Sequence, residues 1–229
     1  MTKATEIPNQ VFIGCPWKSV RQKYDKAIHD LRKKFPLSFI IIGRDENQDA
    51  KELLEIIKTK LASSSYAIFD ATGGNANVSL EYGYAEGVGI QRGIYLGTHQ
   101  ASSKASEDSP IIADLAGKNQ VRYAQQSRLK ALLSTFAKNH VYTKRFEKCL
   151  WKRYRKKLKG QKKRLRSLAL KIIHCLDDQI EIRREDVVQK MQADISNYTR
   201  IEIENMLKIL HAEDLIEVST GRFSSIRVR

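Results

Sequence analysis

The chain has 229 residues, of which 41% are hydrophobic, and a formal net charge of +15 at pH 7. This composition supports one large or two small globular domains. No apolar stretch approaches the ~20 residues that a membrane helix needs, and residues 1–6 lack the apolar core of a signal peptide. Cys15, Cys149 and Cys175 are widely scattered, which favours neither disulfides nor a zinc site. We therefore expect a cytoplasmic protein that carries no metal or cofactor and does not bind membranes.

Short apolar runs alternate with amphipathic stretches from about residue 10 to residue 138. This pattern predicts an α/β fold, with a parallel sheet flanked by helices. The polar, Ser-rich stretch 99–109 is interpreted as a mobile loop beside the sheet, followed by packed structure at 109–115. Strands are predicted at 11–14, 39–42, 66–69, 94–96 and around Val121, and helices at 24–35, 50–63 and in the segment that contains Glu81.

Polar residues follow the third predicted strand. Asp70 ends the strand, and Gly73, Gly74 and Asn75 indicate a loop, because Gly and Asn tolerate unusual backbone angles. Asn77 is predicted to be the N-cap of the next helix. Since ligands of open α/β sheets bind at the carboxyl ends of strands, we interpret the loop as part of a site. Each residue also has an ordinary alternative role: Asp70 in turning the chain, and Asn77 in capping alone.

Glu81 lies on the stripe of that helix formed by Val78, Ala85 and Val88. Burying a carboxylate on the core-facing side of a helix is costly, which favours a functional role. The alternative is a side chain that turns outward into solvent, where an acid near a helix N-terminus also complements the helix dipole. Asp70 and Glu81 occur together on one strand–loop–helix unit, and this co-occurrence favours a site.

The segment from Asn77 to Ala85 reads Asn-Val-Ser-Leu-Glu-Tyr-Gly-Tyr-Ala. It resembles the Asn-Val-x-x-Glu-x-Gly-Tyr-Ala signature of nucleoside 2-deoxyribosyltransferase-like proteins and is similar to the equivalent segment of TIR-like nucleotide-binding proteins. The resemblance covers about the first half of the chain. It implies a Rossmann-like sheet of the flavodoxin or TIR type, a nucleotide, nucleoside or NAD as ligand, and Glu81 as nucleophile. The transferases carry an aspartate six residues earlier, where this chain has Asn75, which weighs against base transfer more than against hydrolysis or binding.

The resemblance and the predicted strand ends together nominate the site. Glu81 would stabilise or capture an oxocarbenium-like sugar, and Asp70 or a bound water would assist the departing base. Trp17 either covers a base or nicotinamide or closes the core, and Arg44 would contact a phosphate. Asparagine side chains would bind sugar hydroxyls, and the glycine loop would let backbone amides approach. The predicted substrate-binding residues are Gly14, Trp17, Arg44, Gly73, Gly74, Asn75 and Asn77.

Positive charge is concentrated in one segment. Residues 138–171 contain fifteen Lys or Arg and one acid, a net charge of +14, whereas the rest of the chain has 26 basic and 25 acidic residues. This density favours a nucleic acid or ribonucleoprotein partner, although many such runs are solvated helix faces. Apolar residues recur every four positions from Tyr142 to Leu158, which predicts one amphipathic connector helix over 139–163. Its stripe, with Trp151 alongside, would pack on the first domain or a second subunit, or stack on bases. The predicted contacts to nucleic acid are Lys152, Arg153, Lys156 and Lys157.

Residues 164–229 resemble a winged helix-turn-helix domain, so the predicted domains are 1–138, 139–163 and 164–229. Helices are predicted at 165–176, 184–191 and 197–211, and the wing at 219–229. In that family the third helix reads the major groove and the wing contacts phosphates. Glu202 and Glu204 on the predicted reading helix oppose this, and winged helices also serve as protein-interaction modules. The residues nominated are Asn197, Tyr198, Thr199 and Arg200 for bases, and Arg222 and Arg227 for phosphates.

Two functions from different classes follow. In the first, the protein is an N-glycosidase that hydrolyses, or transfers the base of, a nucleotide, nucleoside or NAD, and its tail docks on nucleic acid. Similar domain pairings occur in bacterial phage-defence effectors. In the second, the crevice only binds a nucleotide, and the protein is a DNA-binding regulator. Asn75 favours the regulator, whereas Glu81 and Asp70 favour the enzyme, which is our first hypothesis.

Overall fold

The computed structural model describes residues 5–18, 20–43, 50–98, 119–177, 182–194, 198–219 and 224–229. These residues form two compact units. The first comprises the described parts of 1–31 and 39–135, and the second those of 32–38 and 136–229. Arg44, Asn197, Arg222 and the predicted loop and packed segment at 99–115 lie outside the described residues.

The first unit is built on a five-stranded parallel sheet, which confirms the predicted α/β fold class. The strands lie side by side in the order β2-β1-β3-β4-β5, which is the order of flavodoxin-like sheets. The boundary between the two units falls within the fourth helix. The elements are β1 (Ile7–Gly14), α1 (Arg21–Arg32), β2 (Ser38–Ile40), α2 (Ala50–Ala62), β3 (Ser64–Asp70), α3 (Ala76–Gly87), β4 (Arg92–Gly97), β5 (Gln120–Tyr123) and α4 (Gln126–Asn139).

The central strands are buried because helices of a parallel α/β fold cover both faces of the sheet. The last six residues of β1 and the last four of β3 are all buried. The register pairs Gly14 with Phe69, so the two strands end at the same level. Strand order reverses between β1 and β3, and the crevice at such a switch point is where these folds bind ligands. The sheet therefore brings Cys15 and Asp70 to one edge.

Helix α3 begins earlier than predicted. Its N-cap is Asn75, whose side-chain Oδ1 accepts hydrogen bonds from the backbone N–H groups of Asn77 (3.0 Å) and Val78 (3.3 Å). The prediction that Asn77 caps the helix was wrong, because asparagine at either position offers the same capping group. Val88 follows the helix and is 44% exposed, so it does not belong to the buried stripe. The buried residues of α3 are Val78, Tyr82 and Ala85.

The second unit contains four helices and a small sheet among its described residues. The sheet is antiparallel and has the order β6-β8-β7. Three of the helices lie where the sequence predicts them, while membership of the winged-helix family stays a prediction. The elements are α5 (Val141–Tyr154), α6 (Lys159–Cys175), β6 (Ile182–Arg183), α7 (Arg184–Asp194), α8 (Arg200–Ala212), β7 (Ile216–Val218) and β8 (Ser225–Val228).

The predicted single helix over 139–163 is two helices. α5 ends at Tyr154, and Leu158 is the extended N-cap of α6 with 75% of its surface exposed. The four-residue repeat is buried only as far as Leu150, and Trp151 is 66% exposed. Beyond that point the repeat has no packing surface to sustain one helix, and the neighbouring cations repel one another. Within the described parts of the chain, every helix is too short or too polar to cross a membrane.

The cap of α3 gives a direct stability test. We expect Asn75→Ala to lower the free energy of unfolding by ~0.5–2 kcal/mol, because two backbone N–H groups lose their acceptor. Asn77→Ala is the matched control and should change it by less than ~0.5 kcal/mol, because the Asn77 side chain is exposed. Urea unfolding of both variants measures the difference. Equal losses would mean that Asn75 does not act as the cap.

Candidate functional site

A cavity of about 740 Å³ lies at the carboxyl ends of β1 and β3 in the first unit. Its volume falls within the ~300–1,000 Å³ range of small-molecule sites. Residues from the ends of β1, β2 and β3 contribute to its lining, together with side chains of α2 and the first turns of α3. The cavity therefore occupies the switch-point crevice that the strand order predicts.

The cavity lining has an apolar part and a polar part. Ile42, Leu53 and Ile57 contribute aliphatic surface from the end of β2 and from α2. Thr72 and Gly73 begin the polar part, which continues with Asn75, Asn77 and Glu81. Among the lining residues that the structure describes, Glu81 is the one acid and Lys18 the one cation. A mostly apolar lining with a few convergent polar groups is typical of small-molecule sites.

Glu81 points inward and is half-buried. Burial raises the pKa of its carboxyl group from 4.5 to about 7. The carboxylate lies against Gly14: a Cβ at residue 14 would collide with Glu81 Oε2 and lie 2.8 Å from Phe69 Cδ1. Glycine at the end of β1 thus makes room for the carboxylate. The solvent-facing alternative for Glu81 does not describe this side chain.

Asp70 is fully buried and occupied by hydrogen bonds within the protein. The hydroxyls of Tyr24 (2.9 Å) and Tyr123 (2.6 Å) both donate to its Oδ2. The backbone N–H of Thr72 donates to Oδ1 at 3.0 Å. Burial, and then the charge of Asp70, raise the pKa of both tyrosines well above the ordinary value. Asp70 thereby ties α1 and β5 to the loop that follows β3.

The loop between β3 and α3 is held from several directions. The hydroxyl oxygen of Thr72 accepts a hydrogen bond from the backbone N–H of Gly97 at 2.7 Å, which links the loop to β4. Gly73 and Gly74 have φ values of 74° and 60°, in the left-handed region that favours glycine. The backbone N–H of Gly74 donates to the Ala71 carbonyl at 3.2 Å. These contacts fix the polar part of the cavity lining.

Trp17 lies at the rim of the cavity and is 49% exposed. The Arg21 guanidinium stacks over its ring, 3.8 Å from the ring centroid. The other neighbour is Gly43, where any Cβ would overlap the indole ring. The indole is therefore held at the rim of the cavity and is not buried in the core.

Cys15 also lines the cavity, where its thiol is not poised for chemistry. Burial, followed by the negative charge of Asp70, raises the pKa of the thiol to about 12. A thiolate nucleophile needs a lowered pKa, so Cys15 stays protonated at neutral pH. In the described part of the chain, no group of three or more His, Cys, Asp or Glu side chains is arranged to hold a metal ion.

The structure places the predicted site residues unequally. Five of them line one cavity: Trp17, Gly73, Asn75, Asn77 and Glu81. Gly14 lies against Glu81. Asp70 is buried and accepts a hydrogen bond from Thr72, which also lines the cavity. Sequence reasoning missed the two tyrosines that bind Asp70, which lie 46 and 53 residues from it in the chain. It also missed the aliphatic surface of α2, which the helical spacing of Leu53, Leu54 and Ile57 signals.

Among the described residues of the second unit, four predicted nucleic-acid contacts form ion pairs with acids: Lys152, Arg153, Arg200 and Arg227. Lys152 (3.1 Å) and Arg153 (3.3 Å) both bind Glu213. Lys156 and Lys157 are exposed in the turn after α5. The described base-reading candidates Tyr198, Thr199 and Arg200 are likewise engaged in contacts, and so is Arg227 of the wing.

Arg200 contacts two carboxylates: that of Glu185 at 2.9 Å and 3.1 Å, and that of Glu204 at 3.1 Å. Arg227 binds Glu217 at 2.7 Å. The Tyr198 hydroxyl donates to the Arg164 carbonyl at 3.1 Å, with the Arg164 guanidinium 4.9 Å from the ring centroid. Thr199 is the N-cap of α8 and forms a capping box with Glu202.

No protein-family model matches the chain. No curated protein matches it either. Among solved structures, the chain is similar to the 2-desoxiribosyltransferase from Leishmania mexicana, with a TM-score of 0.44 and 15% sequence identity. The match covers 58% of this chain and 100% of that one. Similarity at this level shows no family, so the functional interpretation rests on the geometry of the cavity and on the motif around Glu81.

The raised pKa of Glu81 predicts a pH-dependent stability. Protonated Glu81 is favoured in the fold, so its contribution is complete below about pH 4.5 and is lost as the pH rises through about 7. Glu81→Gln cannot ionise and should stabilise the protein at pH 8, by roughly 1–3 kcal/mol, with little effect at pH 5. Urea unfolding at the two pH values measures this, with exposed Glu52→Gln as the control. A gain of equal size at both pH values would refute burial as the cause.

The hydrogen bonds of Asp70 generate a further prediction. Asp70→Asn replaces an acceptor by a donor beside two tyrosine hydroxyls and should lower the free energy of unfolding by roughly 1–3 kcal/mol. Tyr123→Phe removes one donor and should cost about half as much. Urea unfolding compares them. An Asp70→Asn protein of unchanged stability would show that the network does not hold the β3–α3 loop.

Proposed function

We propose that the first unit cleaves an N-glycosidic bond of a nucleoside, a nucleotide or NAD, with Glu81 acting on the sugar. One observation carries the proposal: a carboxyl group with a pKa of about 7 lines a cavity at the switch point of the sheet. The motif around Glu81, which resembles that of N-glycoside-processing proteins, supports the same reaction class. The apolar part of the lining suits a base, and the asparagines suit sugar hydroxyls.

In the proposed mechanism the bond between C1′ and the base nitrogen breaks, and its electron pair leaves with the base. Positive charge develops on C1′ and its ring oxygen, and the ionised Glu81 carboxylate stabilises this charge or bonds to C1′. Water then supplies hydroxide to C1′, and the base nitrogen gains a proton. A second nucleobase in place of water would give transfer.

Asp70 takes a positioning role in this mechanism. Its two oxygens accept hydrogen bonds from tyrosine hydroxyls and from a loop amide, so a water delivers the proton to the departing base. The Oδ1 atom of Asn75 accepts the hydrogen bonds of the helix cap, and its NH₂ group would donate to a sugar hydroxyl. Trp17 would stack on the base or nicotinamide.

The second candidate is a nucleotide-responsive regulator that binds nucleic acid without catalysis. Asn75 favours it, since a cap stands where transferases carry an acid. In both candidates we propose that the second unit contacts nucleic acid, because residues 138–171 carry a net charge of +14. Winged-helix DNA reading and a role in phage defence are parts of this proposal that rest on resemblance alone.

Base release separates the two candidates. The purified chain is incubated with a panel of NAD, nucleotides and nucleosides, and free base is measured by chromatography. We expect one class to be cleaved, and Glu81→Gln to lower turnover by at least about 10²-fold, because the amide cannot stabilise a sugar cation. Exposed Glu52→Gln should retain full turnover. Unchanged turnover of Glu81→Gln would exclude this mechanism, whereas ligand binding without base release by the unmodified chain would favour the regulator.

Turnover should also depend on pH in a defined direction. The reaction needs ionised Glu81, so kcat/KM should rise as the pH increases through about 7 and then level off. A profile measured from pH 5 to pH 9 tests this. A rate that falls across pH 7 would mean that Glu81 acts as an acid instead.

A further inference from the structure

The turn between α5 and α6 presents a dense cluster of exposed cations. The sequence has no Asp or Glu between Glu147 and Asp177. Residues 155–163 are exposed throughout. We name as the turn surface Trp151, Arg155, Lys156, Lys157, Leu158, Lys159, Lys162 and Lys163.

Several arginines elsewhere in the second unit are paired with acids. Arg164 binds Glu202, and Arg166 binds Glu147 at 2.6 Å. Arg200 and Arg227, which the sequence nominates for base and phosphate contacts, are held by carboxylates. A paired arginine must give up its carboxylate before it binds a phosphate, which reduces the net gain. The cations of the turn surface, by contrast, lie in a stretch of sequence without acids, which favours contact with a polyanion there.

The turn surface also exposes an aromatic ring. Trp151 is 66% exposed and Leu158 is 75% exposed, whereas Phe146 and Leu150 of the same repeat are buried. The apolar residues at this end of the repeat are therefore exposed, and most of their neighbours in sequence are lysines and arginines. An exposed indole close in sequence to lysines and arginines gives unpaired bases a ring to stack on while the lysines contact the backbone phosphates.

We propose that the turn surface binds single-stranded nucleic acid without sequence preference, through base stacking on Trp151 and phosphate contacts of the lysines. A duplex hides its base faces and offers Trp151 nothing to stack on. Base-edge reading of a duplex would instead need the side chains at the start of α8, and Arg200 there is held by Glu185 and Glu204. This inference rests on the proposed nucleic-acid role of the second unit and is independent of the chemistry at Glu81.

Tryptophan fluorescence tests the proposal on the full chain. The protein has two tryptophans, so Trp17→Phe leaves Trp151 as the reporter. A 12-nucleotide oligothymidine should quench Trp151 and bind at least about tenfold more tightly than a duplex of the same length. Vesicles containing phosphatidylserine provide a second anionic surface. Equal or tighter binding of the duplex, or a response to vesicles alone, would overturn the proposal.

Variants separate stacking from charge. Trp151→Ala should weaken oligothymidine binding about tenfold, measured by the anisotropy of a labelled oligonucleotide, and should leave the salt dependence unchanged. Replacing Lys156, Lys157 and Lys159 together by alanine should reduce the slope of log K against log salt by about 2, since each phosphate contact contributes about 0.7. An unchanged slope would overturn the phosphate contacts, and an unchanged affinity of Trp151→Ala would overturn the stacking.

A matched control removes the same charge from elsewhere. Lys26, Lys190 and Lys208 are exposed helix residues, and their triple alanine variant should bind oligothymidine with a nearly unchanged slope. A slope reduced as much as in the turn variant would mean that net charge alone drives binding. Glu81→Gln should bind the oligonucleotide as the unmodified chain does. Failure of base release with intact oligonucleotide binding would therefore remove the glycosidase and leave the turn surface.

Discussion

The burial of the Glu81 carboxyl group is the constraint on which the site depends. Burial raises its pKa, and no cation among the described residues offsets that rise, so the fold holds this group partly out of water. Its position is enforced by the packing beneath it. Gly14 leaves space at the end of β1, and Phe69 packs edge-on against Tyr82, 5.4 Å between ring centroids, which seats α3 on the sheet. The free energy that keeps the carboxyl group there comes from the apolar core around it rather than from the site itself.

Asp70 and Glu81 belong to the same strand–loop–helix unit, and their carboxyl groups have opposite surroundings. Asp70 accepts three hydrogen bonds, two from tyrosine hydroxyls and one from a loop amide, and these bonds hold the strand ends together. Glu81 faces the cavity, where a developing positive charge on a ligand would meet it. Environments that differ in this way assign different roles to chemically similar residues. In the proposed function, Glu81 takes the chemical role and Asp70 the architectural one.

The sequence predicts the sheet and the place of Glu81, because both follow from local periodicity: buried strands show as short apolar runs, and a helix stripe repeats every three or four residues. The sequence does not identify the capping residue, because Asn75 and Asn77 have the same side chain. They differ only in which backbone N–H groups lie within hydrogen-bond distance of that side chain. The partners of Asp70 come from α1 and β5, and no local pattern announces contacts 46 and 53 residues away. The sequence also does not predict that the helix ends before Leu158, because the four-residue apolar repeat continues in the sequence after its residues cease to be buried.

The net charge of a segment likewise does not show which of its cations are paired with acids in the fold. A count of Lys and Arg treats Arg200, Arg227 and Lys156 alike, yet the first two are held by carboxylates and the third lies in an exposed turn without acids nearby in sequence. An unpaired cation can contact a phosphate directly and release a counterion from the polyanion, whereas a paired one must first give up its carboxylate. The distribution of acids, more than the number of bases, therefore determines where a polyanion is attracted. In this chain the acids of α7, α8 and β7 neutralise Arg164, Arg200 and Arg227, whereas the turn between α5 and α6 has no acid in its sequence.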